Sequence, residues 1–245
     1  MSRIVYGLRP VEELLRAKRS VSALFVEGST PPGLHDLLKA ASISPVVRTR
    51  EELDELAGGK LHQGVVAVTG EYPYVESRAI VDAAFAVEES PLVLILDGVQ
   101  DPQNLGAIAR SAHLLGAHGI VIPKDRAAGV TSAAVKASAG ATEHVRIAQV
   151  TNIARTIDEL KERGIWVVGT AMEGGVPPWE LDLAQPTAIV LGAEGKGVRP
   201  LVLRGCDHKV MIPMSGKVAS FNVAAAGAML LYEALRQRNT TSQKT

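Results

Sequence analysis

The sequence contains a single cysteine, Cys206, in 245 residues. One thiol makes no internal disulfide and no cysteine-rich zinc site. Aromatic residues are scarce, at 4%, which disfavours a function built on platforms of stacked bases. An excess of one charge is also missing: 26 Lys and Arg balance 26 Asp and Glu. A chain that grips polyanions through its overall charge is thereby disfavoured, while a local basic patch is not. Apolar stretches such as Leu92–Leu96 fall far short of a membrane span. Residues 1–10 lack the apolar segment of a secretory signal, so a cytoplasmic protein with no membrane contact is expected. The remaining composition, 47% hydrophobic and 21% charged, is that of an ordinary globular protein. Its length allows one or two domains.

Two patterns divide the chain. In residues 1–75, Leu8, Val11, Leu14 and Leu15 sit at helical spacing, with Glu12, Glu13 and Arg16 on the other side. Strands are predicted at 21–27, 45–48 and 65–69, and helices at 34–41 and 51–57. This is a small α/β unit whose nine bases match its nine acids. Residues 76–90 read as a connector, with a short helix within 79–87. From Pro91 to residue 245 a β/α alternation takes over. Strands are predicted at 92–96, 119–122, 165–169, 188–191 and 209–212. Helices are predicted at 104–115, with Asn104 as a candidate N-cap, and at 131–139, 152–163 and 222–238. The run Leu92–Leu96 is apolar at every position, as suits a strand buried on both faces of a parallel sheet.

Three loops punctuate that sheet, and open α/β sheets bind ligands at such strand ends. The first runs from Asp97 through Asp101-Pro102-Gln103-Asn104-Leu105-Gly106 into a helix bearing Arg110. By itself it reads as a capped helix with a solvated arginine. The second, Gly192-Ala193-Glu194-Gly195-Lys196-Gly197, has the wrong glycine spacing for a dinucleotide fingerprint. Nor is it a Walker loop, because Lys196 is followed by Gly197. Glu194 within it repels phosphate and favours an uncharged or cationic group. The third runs from Ile212-Pro213-Met214 to Ser220-Phe221-Asn222-Val223, where Ser220 or Asn222 can cap the last helix.

Together, in this order and at these separations, the three segments resemble the motifs of the SpoU (TrmH) family of RNA ribose 2′-O-methyltransferases. Tyr6-Gly7-Leu8-Arg9-Pro10-Val11 and His62-Gln63-Gly64-Val65 resemble the substrate-binding domain that precedes the catalytic domain in one branch of that family. Phe221 stands where the family pattern has leucine. The resemblance implies an α/β protein with a small N-terminal substrate-binding domain (1–75), a linker (76–90) and a SPOUT α/β-knot, or deep trefoil, domain with a mainly parallel sheet (91–245). It implies S-adenosylmethionine as cofactor, held by Gly192, Ile212 and Phe221, with Thr170, Leu191 and Met214 as further contacts. Arg110 is the implied catalytic residue, surrounded by Asn104, Glu194, Ser220 and Asn222.

The implied reaction moves a methyl group from a sulfonium to a ribose 2′-hydroxyl. The hydroxyl must lie in line with the breaking bond, and its proton must leave. An arginine holds its protons too tightly to act unaided as the base. We therefore read Arg110 as a cation that clamps the target phosphate and stabilises alkoxide charge. The six histidines show no metal-ligand spacing, and no metal is expected. The implied RNA is 23S rRNA or a large-subunit precursor, with a guanosine as target. A tRNA, or another rRNA site conferring antibiotic resistance, is the alternative substrate. A non-catalytic RNA-binding assembly factor is the alternative class, and a nucleotide-dependent oxidoreductase lacks its fingerprint. Arg3, Arg9, Arg16, Lys124, Arg126 and Lys136 are candidate RNA-facing cations. Two apolar stripes on the last helix, one through Leu230 and one through Leu231, point with the resemblance to a homodimer.

Overall fold

A computed structural model gives the fold for residues 2–59, 61–218 and 220–242. The first sheet is built from β1 (Arg3–Tyr6), β2 (Val21–Glu27), β3 (Val46–Arg48) and β4 (Val65–Thr69), in the order β1-β4-β2-β3. β4 pairs antiparallel with β1 and β2, while β3 lies parallel to β2. Helices α1 (Leu8–Arg16), α2 (His35–Ala41) and α3 (Arg50–Ala57) complete this unit. In α3 the Thr49 hydroxyl accepts from Glu52 N, and the Glu52 carboxylate accepts from Thr49 N. That reciprocal cap fixes where the helix begins.

The stripe predicted for α1 is buried at Val11, Leu14 and Leu15. Glu12, expected on the solvent side, is buried as well. The turn at Gly33 closes over its carboxylate, which Arg9 neutralises at 2.7 Å. In the chain segment that links the two sheets, α4 (Ser77–Phe85) covers β7 (Arg146–Val150).

The second sheet contains β7 together with β5 (Leu92–Asp97), β6 (Gly119–Pro123), β8 (Trp166–Thr170), β9 (Thr187–Gly192) and β10 (His208–Val210). Its order is β10-β8-β9-β5-β6-β7, and every pairing in it is parallel. The central strands β5 and β9 are buried at every residue, which is why their sequences run apolar without alternation. From β5 the chain adds β6 and β7 on one side, then crosses to β8, β9 and β10 on the other. The crevice at the carboxyl ends of β5 and β9 is therefore a topological switch point.

Helices α5 (Pro102–Leu114), α6 (Ser132–Ala137), α7 (Ile153–Glu162), α8 (Pro200–Gly205) and α9 (Val223–Ser242) flank the sheet. After β10 the chain returns from the sheet edge towards β9 and enters α9, which packs on α5. This helix buries Val223, Leu230, Leu231 and Ala234 and exposes Met229 and Tyr232.

The two sheets share one apolar cluster, in which Val5, Val11 and Leu14 join Leu105, Ala109 and Val135. Polar contacts reinforce it. Arg3 grips the buried Glu143 carboxylate at 2.7 and 3.1 Å, and Arg19 donates to the Glu143 carbonyl at 2.8 Å. The Tyr72 hydroxyl donates to the Thr142 carbonyl at 2.8 Å. Arg3 is thus spent on domain packing and is not an RNA-facing cation, because its partner carboxylate is fully buried. Arg16 pairs with Glu13. Lys124 and Arg126 are exposed and without ion-pair partners among the described residues.

Candidate active site

The crevice is shaped by a hairpin that follows β9. Ala193 and Gly197 exchange two backbone hydrogen bonds, at 3.2 and 2.8 Å. Gly195 and Gly197 take the left-handed backbone that this turn demands, at φ 74 and 66°. The hairpin folds straight back over Gly192. A Cβ on Gly192 would lie 2.0 Å from Gly197 C and 2.1 Å from Val198 N, so only glycine fits.

A buried carboxylate ties down the far end of the hairpin. Asp97, the last residue of β5, accepts from Arg199 N at 2.8 Å and from Arg199 Nε at 2.7 Å. The hydrogen bond to Asp97 holds the guanidinium proton more tightly than usual. Sequence reasoning passed over this pair. Its only signal is an aspartate closing an otherwise apolar strand, where an unpaired charge is costly.

The three loops meet at their side chains. Asn222 Nδ2 donates to Glu194 Oε1 at 2.6 Å and to Asn104 Oδ1 at 2.9 Å. Asn104 Nδ2 donates to the same Glu194 Oε1 at 3.2 Å. Asn222 Oδ1 accepts from Ala224 N and Ala225 N, so this residue caps α9 while closing the ring. Asn104 is not the cap of α5, contrary to the sequence-based expectation. Asp101 takes that role, accepting from Gln103 N at 2.9 Å, and Pro102 follows at the first helical position. Freed from capping, the Asn104 amide reaches Glu194.

Beside this ring lies a cavity of about 460 Å³, within the range of small-molecule sites. All six cofactor candidates line it: Thr170, Leu191, Gly192, Ile212, Met214 and Phe221. Glu194 and Ser220 line it too, as do Glu173 and Lys196, which sequence reasoning did not select. Thr170 spends its hydroxyl on the Val190 carbonyl at 3.0 Å, leaving the strand end as wall. The cavity combines apolar walls with charged groups, which suits a ligand having a flat apolar part and a charged part. Arg110, Asn104 and Asn222 are not among the lining residues. Arg110 is exposed on α5 and makes no hydrogen bond or ion pair with the described residues. No group of three or more His, Cys, Asp or Glu among the described residues is placed to hold a metal ion. No helix among them is long and apolar enough to cross a membrane.

Comparison with known proteins matches this arrangement. Residues 91–232 match the SpoU rRNA Methylase family, and residues 4–75 match the RNA 2′-O ribose methyltransferase substrate binding family. The chain is 44% identical over 241 residues to the 23S rRNA (guanosine-2′-O-)-methyltransferase RlmB of Pseudomonas syringae pv. tomato, covering 96% of each chain. It is 42% identical to the protein of the same name from Shewanella oneidensis, covering 97% of this chain and 98% of that one. Among solved structures, the SpoU methyltransferase AviRb from Streptomyces viridochromogenes in complex with the cofactor AdoMet superposes with a TM-score of 0.83. The two are 29% identical, over 98% of this chain and 91% of that chain.

Proposed function

Since the chain belongs to the SpoU rRNA methylase family, we propose that it methylates a ribose 2′-hydroxyl of a guanosine in 23S rRNA, using S-adenosylmethionine. The observation that carries this reading is the Asn104–Glu194–Asn222 ring, which joins all three motifs beside the cavity. The cavity residues fit the cofactor. Leu191, Ile212 and Phe221 offer apolar surface to a flat heterocycle, Gly192 brings backbone close, and a carboxylate wall tolerates a cationic sulfur. When bound, the cofactor supplies an activated methyl group.

The remaining work falls to the protein's own groups. Glu194 Oε1 is held by two amide donors, which fixes the hairpin over the cavity. Ser220 and Asn222 set the entry to α9 and the position of Phe221. Arg110 presents a cation that no carboxylate among the described residues neutralises. It clamps the phosphate beside the target ribose and stabilises negative charge on the 2′-oxygen as its proton departs to a phosphate oxygen or water.

We assign residues 1–75 to RNA binding, 76–90 to the connector and 91–245 to catalysis. The passage from β10 to α9 is read as the trefoil threading of the family. The protein acts in the cytoplasm as a homodimer without a metal. Exposed Met229 and Tyr232 on α9 give a second copy apolar surface to cover.

The test is transfer of labelled methyl from S-adenosylmethionine to total RNA of a strain lacking the protein, followed by mapping of ribose-methyl stops. One stop at a 23S guanosine is expected. Label in tRNA, in another rRNA site or in no RNA would overturn the assignment. Light scattering checks the dimer, and a stable monomer at working concentration would refute it.

A further inference from the structure

The two motifs of the first domain meet each other, and they meet the catalytic domain, at one ammonium group. Lys136, in the last turn of α6, donates to Gln63 Oε1 at 2.7 Å. Its Nζ also rests against Gly7, where an added Cβ would lie 2.4 Å from Nζ and 3.0 Å from Gln63 Oε1. Gly7 has φ 95° and Gln63 has φ 55°. Gln63 is therefore a non-glycine residue held in the left-handed region, a strain that persists only where surroundings enforce it.

Those surroundings are built. His62 is fully buried; its Nδ1 accepts from Gly64 N at 3.0 Å, and its Nε2 donates to Asp54 at 3.0 Å. The motif residue His62 thus holds the loop, and the loop aims the Gln63 amide at a lysine of the other domain.

The chemistry of the pair is unbalanced. Lys136 is half-buried, and burial pulls its ammonium below the usual lysine range. No carboxylate lies within ion-pair distance of it among the described residues; a neutral amide oxygen is its partner. Other side-chain clasps across this interface are made to a carboxylate, a backbone carbonyl or a hydroxyl: Arg3 with Glu143, His144 with Glu13, Ser132 with the Ile4 carbonyl, and Val130 N with the Tyr74 hydroxyl. An ammonium has three donors, and this one spends one on Gln63. The exposed Gln63 amide keeps its own N–H donors free among the described residues.

We propose that Lys136 and Gln63 form a composite contact for an RNA phosphate, completed only when both domains present their halves. This rests on the reading of the chain as an RNA methyltransferase. α6 packs along α5, the helix that carries Asn104 and Arg110. A strand gripped at Lys136 is thereby referenced to the helix that does the chemistry, and the resemblance of the first domain acquires a physical role. The contact also gives an electrically neutral protein a local cation that its own acids have not cancelled.

The test measures binding of a 23S rRNA fragment over a range of salt concentrations, alongside donor affinity, turnover and thermal unfolding of the full-length protein. Lys136→Gln is expected to weaken RNA binding roughly fivefold and to lower the log–log salt slope by about 0.7–0.9, the loss of one phosphate contact. Turnover at saturating RNA and donor affinity should hold. Gln63→Glu separates the alternatives. It supplies the missing carboxylate, so a merely structural clasp would tighten and RNA binding would stay unchanged. A phosphate site would instead bind RNA more weakly while the fold is kept or strengthened. Unchanged affinity and slope in Gln63→Glu overturn the proposal, even if Lys136→Gln unfolds. Wild-type protein that binds the RNA with a Lys136-dependent slope but transfers no methyl would sink the functional reading and leave this contact standing. Wild-type protein that does not bind the RNA sinks both.

Discussion

Asp97 and Arg199, 102 residues apart, join the end of β5 to the base of the cavity hairpin through a backbone and a guanidinium hydrogen bond on one buried carboxylate. Asp97 is fully buried while Arg199 stays largely exposed. The energetic weight therefore sits on the Asp97 side, where an unsatisfied group has no water to turn to. Asp97→Ala removes the acceptor of Arg199 N and is expected to cost about 1–3 kcal/mol in stability. It should also weaken S-adenosylmethionine binding by at least about tenfold, because the hairpin loses its anchor. Urea denaturation and calorimetric titration check both effects, and unchanged donor affinity would mean that the hairpin is fixed by other contacts.

Gly192→Ala tests the same hairpin from the other side. The new methyl group would have to share space with the Gly197 carbonyl carbon. Backbone cannot yield as a flexible side chain does, so the hairpin must lift. Donor binding is expected to fall by at least about tenfold while the sheet, and hence most of the circular dichroism, survives. Wild-type affinity in this variant would refute the close approach.

Much of this arrangement was legible in the sequence, for identifiable reasons. β5 and β9 announced themselves because burial on both faces leaves no room for polar alternation. Asn222 was recognisable as a cap from its place before an alanine-rich helix. β1 escaped because four residues give too short a period. β7, an edge strand reading Arg-Ile-Ala-Gln-Val, escaped because its polar residues imitate a loop. Asn104 was misread as a cap because capping and tertiary hydrogen bonding use the same amide, and the local choice falls to Asp101. Glu12 went to the wrong face because helical periodicity cannot see the turn at Gly33 that covers it. The loops could be named as ligand-binding from their position and composition. That Asn104, Glu194 and Asn222 share a single carboxylate oxygen could not, since that depends on the return of the chain from β10.

The histidines set a pH dependence of stability. His118 Nδ1 accepts from Leu92 N at 3.0 Å and its Nε2 meets Glu89 at 3.1 Å. Burial holds its pKa below the ordinary imidazole value, against the pull of Glu89. His113 is lowered too, by burial and by the stacked ring of His144. A depressed folded pKa means that the neutral ring contributes stability in full above the unfolded value of about 6.5. That contribution is lost as the pH falls through the lower folded value. Urea denaturation between pH 5 and pH 8 should show stability falling on the acid side. His118→Gln should make that fall shallower, and an identical slope would remove His118 as a cause.

Arg110 is the proposed catalytic residue, and its surroundings make the prediction sharp. It is exposed on α5, without a carboxylate partner among the described residues, about one and two-thirds turns beyond Asn104. It contributes nothing to the cavity wall, so its removal should leave donor binding and folding as they are. If it clamps the phosphate and stabilises charge on the 2′-oxygen, Arg110→Ala should lower kcat by about 10²–10³-fold, the usual loss for one transition-state donor. Arg110→Lys keeps the charge but not the planar fork that grips two phosphate oxygens, and should recover only part of the rate. Single-turnover methyl transfer with saturating RNA separates this from a binding defect. Full rate in Arg110→Ala would transfer the role to another cation, with exposed Lys124 and Arg126 the next to test. A loss confined to RNA affinity would reduce Arg110 to a docking contact.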